Sequence, residues 1–274
     1  MSEIYLVIVV FLFVLAVFDL MVGVSNDAVN FLNSAIGAKV AKFRTIIIVA
    51  AVGVFLGATM SNGMMEVARH GIFHPAMFSM KELMFIFLAV MVSDVILLDI
   101  FNNLGLPTST TVSLVFELLG GTTAFVLLKL ANDTTGLTVG DLMNTEKALG
   151  MIMAIFVSVA IAFFFGIVLQ YISRLVFTFT YKKNLKWKIG IFGGIATTAI
   201  FYFMLFKGIK SMSFVTPEIQ EYIQSNTLTF LGICFVASTA VMQILYCLKV
   251  NVFKILVLMG TFALAMAFAG NDLV

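Results

Sequence analysis

Charged residues are scarce in this chain, and their scarcity excludes a soluble protein. Asp, Glu, Lys and Arg make up 11% of the 274 residues, whereas they make up about a quarter of an ordinary globular domain. A chain with so few charges lacks the polar surface that a soluble domain of this length needs to cover its core. The net charge of +2 is nearly neutral, so we expect no nucleic-acid partner.

Proline and cysteine are also rare. Three prolines and the lack of low-complexity segments exclude a disordered or fibrous chain. The two cysteines, Cys234 and Cys247, would lie about 20 Å apart along a helix, which excludes a disulfide within it. The sequence contains no G-x-x-x-x-G-K-[ST], G-x-G-x-x-G or H-E-x-x-H motif. It therefore supports neither an ATP-driven pump nor an enzyme, and we expect no organic cofactor.

Long apolar runs take the place of the missing charges. Hydrophobic residues make up 62% of the chain, and its mean hydropathy is +1.13. Runs of about 17–25 apolar residues cross a bilayer as helices, so the sequence predicts an all-α integral membrane protein, a polytopic helical bundle. Pro107–Leu128 is either a plain span or a re-entrant hairpin. The predicted spans are Ile4–Val24, Thr45–Glu66, Leu83–Asn102, Pro107–Leu128, Ala148–Gln170, Ile189–Phe206, Thr229–Leu248 and Val252–Gly270.

The basic residues between the spans predict the orientation of the chain. One alternate set of loops carries ten Lys and Arg, and the other carries six. The positive-inside rule places the richer set in the cytoplasm and the N-terminus outside. We expect the plasma membrane as the location. The richer set consists of Lys39, Lys42, Arg44, Arg174, Lys182, Lys183, Lys186, Lys188, Lys249 and Lys254.

Several acidic residues, unlike the basic ones, lie within apolar runs or at their breaks. An ionisable group at membrane depth is costly and indicates a functional site. With no buried Lys or Arg to pair with them, the acids favour a mobile cation or a proton as the counter-charge. For Asp19 and Asp94 the alternative is a protonated carboxyl or a place near the interface. We expect Asp94, Asp99 and Glu117 to belong to a proton or cation pathway. The acids concerned are Asp19, Asp27, Asp94, Asp99, Glu117 and Asp272.

One short motif occurs twice. The stretch Gly23–Val29 recurs as Phe268–Val274, and the two copies end spans that run in opposite directions, which is typical of the inverted repeats of secondary transporters. The matched pairs are Asn26 with Asn271, Asp27 with Asp272 and Val29 with Val274. Because Ile4–Ile36 would be too long for one membrane helix, we expect the helix to break at the motif and expose oxygen ligands for a small cation. The alternative is an Asn or Asp cap of an interfacial helix.

A second motif, Gly105–Ser113, precedes an apolar run. Pro107 is suited to the first turn of a helix, and four hydroxyl residues, Thr108 to Thr111, follow it. Free N–H groups and the positive end of the helix dipole favour an anion there. No basic residue lies nearby in the sequence, so such an anion would need a co-bound cation. The alternative is a plain capped helix start that packs against neighbours.

Together, these motifs resemble those of a known family. Gly23–Lys39 resembles the G-A-N-D-V-A-N-x-x-G-x-x-x-G-x-K signature of the inorganic phosphate transporter (PiT) family. Gly105–Gly120 resembles its G-L-P-[TV]-S-T-T-H-S-L-V-G-A-L-I-G motif, and Gly270–Val274 resembles the start of its second signature. The resemblance extends from about residue 20 to the last residue.

The resemblance implies a symporter that moves inorganic phosphate with sodium or protons and is built from two inverted halves. It implies sodium at the cation residues and no transition metal; the spacing of Glu66, His70 and His74 is poor evidence for a metal site because Gly71 and Pro75 interrupt it. The implied anion-binding residues are Thr108, Ser109, Thr110, Thr111 and Ser113. The implied cation-binding residues are Ser25, Asn26, Asp27, Asn30, Asn271 and Asp272.

Three positions depart from the family pattern. Val112 replaces a His, Phe116 replaces a Gly, and Glu117 stands where a small residue is usual. The loss of the His puts a proton role at that position in doubt. Glu117 either carries a coupling proton or faces a polar neighbour.

The chain also stops inside the second signature. We therefore expect a fragment whose partner is the missing C-terminal half, or else a half that pairs as a homodimer. The expected organisation is a first inverted repeat over 1–170, a basic cytoplasmic linker over 171–188, connecting membrane helices over 189–251 and a truncated second repeat over 252–274.

Other functions stay open at this stage. Sulfate or another oxyanion would fit the same helix start as phosphate. A cation channel or a non-transporting membrane scaffold is the alternative from a different class, although inverted repeats favour a carrier. Gly53–Gly57 and Gly190–Gly194 match G-x-x-x-G, which lets membrane helices approach closely, and we predict that both serve packing.

Overall fold

A computed structural model describes most of the chain, and the described part is helical. It covers residues 3–60, 72–132, 136–177, 187–204, 218, 221 and 225–272. These residues form no strand; a single β-bridge joins Phe73 to Met143. Beside the long helices, the described chain has a 3-10 turn at Pro75–Met77 and one helical turn at Val139–Leu142.

Each of the eight predicted apolar runs coincides with a helix over most of its described residues. Six of the described helices are long and apolar enough to cross a membrane, and α2 and α6 are shorter apolar helices. The prediction of an all-α polytopic membrane protein is thus confirmed. The helices are α1 (Glu3–Gly37), α2 (Phe43–Met60), α3 (Met80–Leu104), α4 (Thr110–Ala131), α5 (Thr145–Phe177), α6 (Lys188–Phe203), α7 (Thr227–Cys247) and α8 (Val252–Asp272).

The predicted helix breaks are wrong. Helix α1 continues for 35 residues through Ser25, Asn26 and Asp27, and α8 continues through its own copy of the motif to Asp272. A continuous helix satisfies its backbone polar groups internally, which is the favoured arrangement in lipid. At about 52 Å, α1 is longer than a hydrocarbon core of about 30 Å, so it must tilt in the bilayer or extend beyond it.

The start of α4 also differs from the sequence expectation. Pro107 lies outside the helix, which begins at Thr110 with Ser109 as its N-cap. Before it, α3 ends at Leu104 and is capped by Gly105, whose φ of 67° is left-handed, a conformation that glycine adopts without steric cost. Helix α4 then continues without interruption for 22 residues, so Pro107–Leu128 contains no helical hairpin of its own.

The chain divides into two compact units. The first comprises residues 1–29, 63–159 and 271–274, and the second comprises 30–62 and 160–270. In the first unit, α3 and α4 pack around a core that includes Ile86, Val90 and Leu118. Lys129 Nζ, near the end of α4, lies 3.1 Å from Glu82 Oε1 in the first turn of α3, which joins the two helices at that end.

In the second unit, glycines allow close helix packing. A Cβ on Gly57 of α2 would overlap the backbone carbonyl of Met266 in α8, and a Cβ on Gly194 of α6 would overlap the side chain of Thr239 in α7. The first helix pair thus approaches nearly to backbone contact. The prediction that both G-x-x-x-G stretches serve packing is confirmed.

Candidate functional site

Asn26 joins α1 to the turn between α3 and α4 in the first unit. Its side chain is only 2% exposed. The amide nitrogen donates to Asn102 Oδ1 at 2.8 Å and to the Leu106 carbonyl at 3.5 Å. The amide oxygen accepts from the Thr108 N–H at 2.9 Å, and Asn102 in turn donates to the Val22 carbonyl at 3.0 Å. Three chain segments are held together by one side chain.

Asp27 faces the start of α4. The carboxyl is 2% exposed, and its Oδ2 accepts a hydrogen bond from Thr110 Oγ1 at 3.3 Å. Thr110 is the first residue of α4. The positive end of a helix dipole stabilises a negative charge, so this carboxylate lies where its charge is favoured. The predicted cation residue and the predicted anion residues meet at this helix start.

The five predicted anion-binding hydroxyls divide into two groups. Ser109 is exposed, and its Oγ caps α4 by accepting from the Val112 N–H at 3.3 Å. Thr108 and Thr111 are half-buried, and Thr110 is buried. These four residues line the start of α4. Ser113 lies one turn further along and is turned towards acidic side chains, so it does not belong to the same group.

An acidic cluster surrounds Ser113. Its Oγ lies 2.9 Å from Asp94 Oδ1 and 2.9 Å from Glu117 Oε1. Asp94 is 5% exposed, and its carboxyl also interacts with that of Asp19 on α1. Glu117 Oε2 is buried and has no hydrogen-bond partner among the described residues. The structure thus brings together Asp94 and Glu117, two of the three residues predicted to form a proton or cation pathway.

The geometry at Ser113 has a chemical consequence. A hydroxyl has one hydrogen to donate, so Ser113 can donate to only one of the two carboxyls. The other carboxyl oxygen, at the same 2.9 Å, must itself carry a proton, or a cation must neutralise the pair. Two ionised carboxylates beside the same buried hydroxyl repel each other strongly.

Some of the predicted residues lie elsewhere. Asp99 is exposed and accepts from Asn103 Nδ2 at 3.1 Å, outside the acidic cluster. Ser25 is exposed, and Asn30 is exposed and belongs to the second unit. The side chains of Asn271 and Asp272 lie outside the described part of the structure, as do Glu66 and His70. Within the described residues, no group of three or more His, Cys, Asp and Glu is arranged to hold a metal ion.

Sequence reasoning missed two members of the site. Asn102 and the Leu106 carbonyl complete the contacts of Asn26. The only signal in the sequence was the polar pair Asn102 and Asn103 at the end of an otherwise apolar run. Such a pair indicates the end of a span, and nothing near it in the sequence indicates a partner.

Comparisons with known proteins bear on the family and the fold of the chain. Residues 23–274 match the family model described as the phosphate transporter family. A solved structure named "The sodium-dependent phosphate transporter" is 17% identical and aligns with a TM-score of 0.54, covering 96% of this chain and 76% of that one. At this identity the likeness shows a shared fold. Comparison with curated proteins found no match.

Proposed function

The chain belongs to the phosphate transporter family, whose model matches residues 23–274, and on that premise we propose that it is a secondary active symporter of inorganic phosphate. Membership of the family makes it a transporter and not an enzyme. The coupling ion and the residues that bind each ion are the parts that we infer from the site.

The contact between Asp27 and Thr110 carries the proposal. It places a buried carboxylate beside the N-terminus of α4 and its hydroxyls. Phosphate bound at this helix start would lie next to a negative side chain. Two negative groups that lie side by side in a low-dielectric site repel each other strongly, so they require a compensating cation. The anion and the cation must therefore bind together, which is the physical basis of symport.

We assign different roles to the two residues of the motif. The carboxylate of Asp27 supplies the charge that a sodium ion needs, and oxygen ligands are what a hard cation prefers. Asn26 already uses its amide in contacts with Asn102, Leu106 and Thr108, so we assign it a positioning role. The structural neighbour is named as a sodium-dependent protein, which supports sodium here.

Protons are a second candidate for coupling. The arrangement of Asp94, Ser113 and Glu117 needs one proton or one cation to be stable. Glu117 stands where the family pattern has a small residue, so this acidic cluster would be a departure of this chain from the family pattern. A proton bound there could move with phosphate in place of sodium or beside it.

The proposal includes an organisation and an orientation. We place a first inverted repeat over residues 1–170 and the start of a second over 252–274, with a basic linker and connecting helices between them. The excess of Lys and Arg in alternate loops supports an external N-terminus, and we propose the plasma membrane as the location.

Uptake into proteoliposomes that contain the protein tests the proposal. Radiolabelled phosphate and sulfate are supplied in turn, with sodium and proton gradients imposed separately. We expect phosphate to accumulate above its equilibrium level when sodium is higher outside. A preference for sulfate would identify another oxyanion permease. Equilibration without accumulation under either gradient would indicate a channel, and uptake no higher than in empty vesicles would indicate a scaffold.

A further inference from the structure

A cavity opens in the second unit. It has a volume of about 830 Å³ and lies where α1, α5 and α7 end and where α6 and α8 begin. Its lining includes three basic residues, Lys39, Arg174 and Lys254. Since helix ends surround it, this cavity belongs at one surface of the membrane and not at its centre.

The cavity favours an anion. The side chains of Lys39, Arg174 and Lys254 are exposed, and within the described ranges none of them forms an ion pair. No acidic residue lines the cavity in the described part of the chain. Gln170 and Asn251 add polar groups to the same lining. Three unpaired cations around one hollow produce a positive potential that attracts negative groups.

An aromatic wall lies beside the charges. The ring centroids of Phe177 and Phe192 are 4.8 Å apart, and those of Phe177 and Phe253 are 5.5 Å apart. All three rings line the cavity. An inorganic phosphate ion would leave this apolar wall uncovered. A ligand with a phosphate group and hydrocarbon attached would satisfy both surfaces.

We propose that this cavity binds the headgroup of an anionic phospholipid. The lipid phosphate would lie between Lys39, Arg174 and Lys254, and the start of its acyl chains would cover the aromatic wall. The cavity lies among loops that carry the larger share of basic residues, which the positive-inside rule assigns to the cytoplasmic side. Basic pockets between membrane helices at that surface bind anionic lipid headgroups.

The chain contains its own probe for this site. Its single tryptophan, Trp187, is 64% exposed and forms the N-cap of α6. It lies two residues before Ile189, which lines the cavity. The tryptophan fluorescence of the purified protein in neutral detergent is measured during three separate titrations. The ligands are short-chain phosphatidylglycerol, short-chain phosphatidylcholine and inorganic phosphate. We expect a saturable change with phosphatidylglycerol alone.

Two lysines with the same backbone conformation provide a matched pair of variants. Lys39 and Lys249 each follow the end of a helix with a left-handed φ, of 49° and 61°, which suits glycine better than lysine. Both Lys39→Gly and Lys249→Gly therefore remove a charge without backbone strain. Only Lys39 lines the cavity.

We expect Lys39→Gly to weaken phosphatidylglycerol binding about fivefold, as for loss of one basic residue near anionic lipid, while Lys249→Gly binds as the original protein does. Arg174→Gln should match Lys39→Gly. Equal weakening by Lys39→Gly and Lys249→Gly would overturn the proposal, because it would indicate general surface charge. Equal responses to both lipids, or saturation by inorganic phosphate alone, would also overturn it.

Discussion

Asn26 and Asp27 are adjacent on α1, but their environments differ. The amide nitrogen of Asn26 donates to the Asn102 side chain and to the Leu106 carbonyl, and its amide oxygen accepts from the Thr108 N–H. The carboxylate of Asp27 accepts a hydrogen bond from Thr110. A helix turns by about 100° per residue, so neighbours can face different partners. At the scale of the residue, one side chain connects segments and the next carries charge.

Replacement of Asp27 by Asn tests the charge. The change keeps the volume and removes the fixed charge at the start of α4, so we expect sodium-coupled phosphate uptake to be lost while membrane insertion is retained. Uptake in proteoliposomes and protein yield in the membrane fraction measure the two effects. Asp99→Asn is the control, because Asp99 is exposed and contacts only Asn103 among the hydrogen bonds described. Unchanged sodium dependence in Asp27→Asn would exclude Asp27 as the cation ligand.

Thr110 and Thr122 form a matched pair on α4. Both are buried, but Thr110 donates to Asp27, whereas Thr122 Oγ1 has no hydrogen-bond partner among the described residues. Thr110→Val removes the hydroxyl that, in our proposal, leaves Asp27 and donates to the bound phosphate, and a hydrogen bond to a charged group is worth about 1.5–3 kcal/mol. We therefore expect its phosphate KM to rise at least about tenfold. Thr122→Val should transport normally, since a buried hydroxyl without a partner contributes nothing that valine lacks. Similar KM values for the two variants would contradict the placement of the site.

Glu117→Gln tests the proton in the acidic cluster. Glutamine supplies N–H donors permanently and cannot take up or release a proton, so position 117 no longer contributes a proton to the contact with Ser113. We expect uptake driven by a proton gradient to be lost and uptake driven by sodium to remain. Rates of phosphate uptake, measured across pH 6–8 under a proton gradient and under a sodium gradient, test this expectation. If proton-driven uptake is unaffected, Glu117 faces Ser113 only as a polar neighbour.

At the scale of the element, hydrophobicity predicted each long helix in the described part of the chain but not every boundary. Apolar runs indicate which segments can enter lipid, and the described part of each of the eight runs is largely helical. They do not report where a polar side chain will find its partner. Asn26 and Asp27 led to the prediction of a helix break because they are polar residues within an apolar run. Their partners lie some 76–83 residues further along the chain, which no local pattern reveals.

Helix packing through glycine gives a prediction at the same scale. In Gly57→Ala the new methyl group would overlap the Met266 carbonyl and press on Ala269. Overpacking of this kind costs about 1–3 kcal/mol, so the protein should unfold at a lower temperature in detergent. Gly166→Ala on α5 is the control, since nothing lies within 4 Å of its added Cβ. Equal unfolding temperatures for the two variants would mean that α2 and α8 are not in close contact.

The whole molecule adds what neither residues nor helices reveal alone. The sequence assigned Asp94 and Glu117 to a proton or cation pathway and Ser113 to the anion site, and the fold brings both carboxyls to the Ser113 hydroxyl. The fold keeps other predicted residues apart. Asp99 and Asn30 are exposed and belong neither to the acidic cluster nor to the contacts of Asn26 and Asp27. Which polar residues meet depends on how long helices pack, and the pattern of apolar residues on a membrane helix does not specify that packing.

The two natural cysteines test the orientation of the whole molecule. Cys247 is exposed at the end of α7, whereas Cys234 is half-buried within that helix. With the turn after α7 in the cytoplasm, a membrane-impermeant maleimide should label Cys247 only after intact cells are permeabilised. Cys247→Ser should abolish the labelling, and Cys234→Ser should leave it unchanged. Labelling of Cys247 in intact cells would invert the proposed topology.

The three-way contact of Asn26 also has a consequence for the gene. The amide must supply a carbonyl oxygen to Thr108 and an NH2 group to Asn102 and Leu106 at once. Glutamine is the other amino acid with that pair of groups, and its codons differ from those of asparagine at more than one base. Every amino acid reached by a single base change loses the oxygen or the NH2 group. A single base change that replaces Asn26 therefore removes at least one of its three contacts.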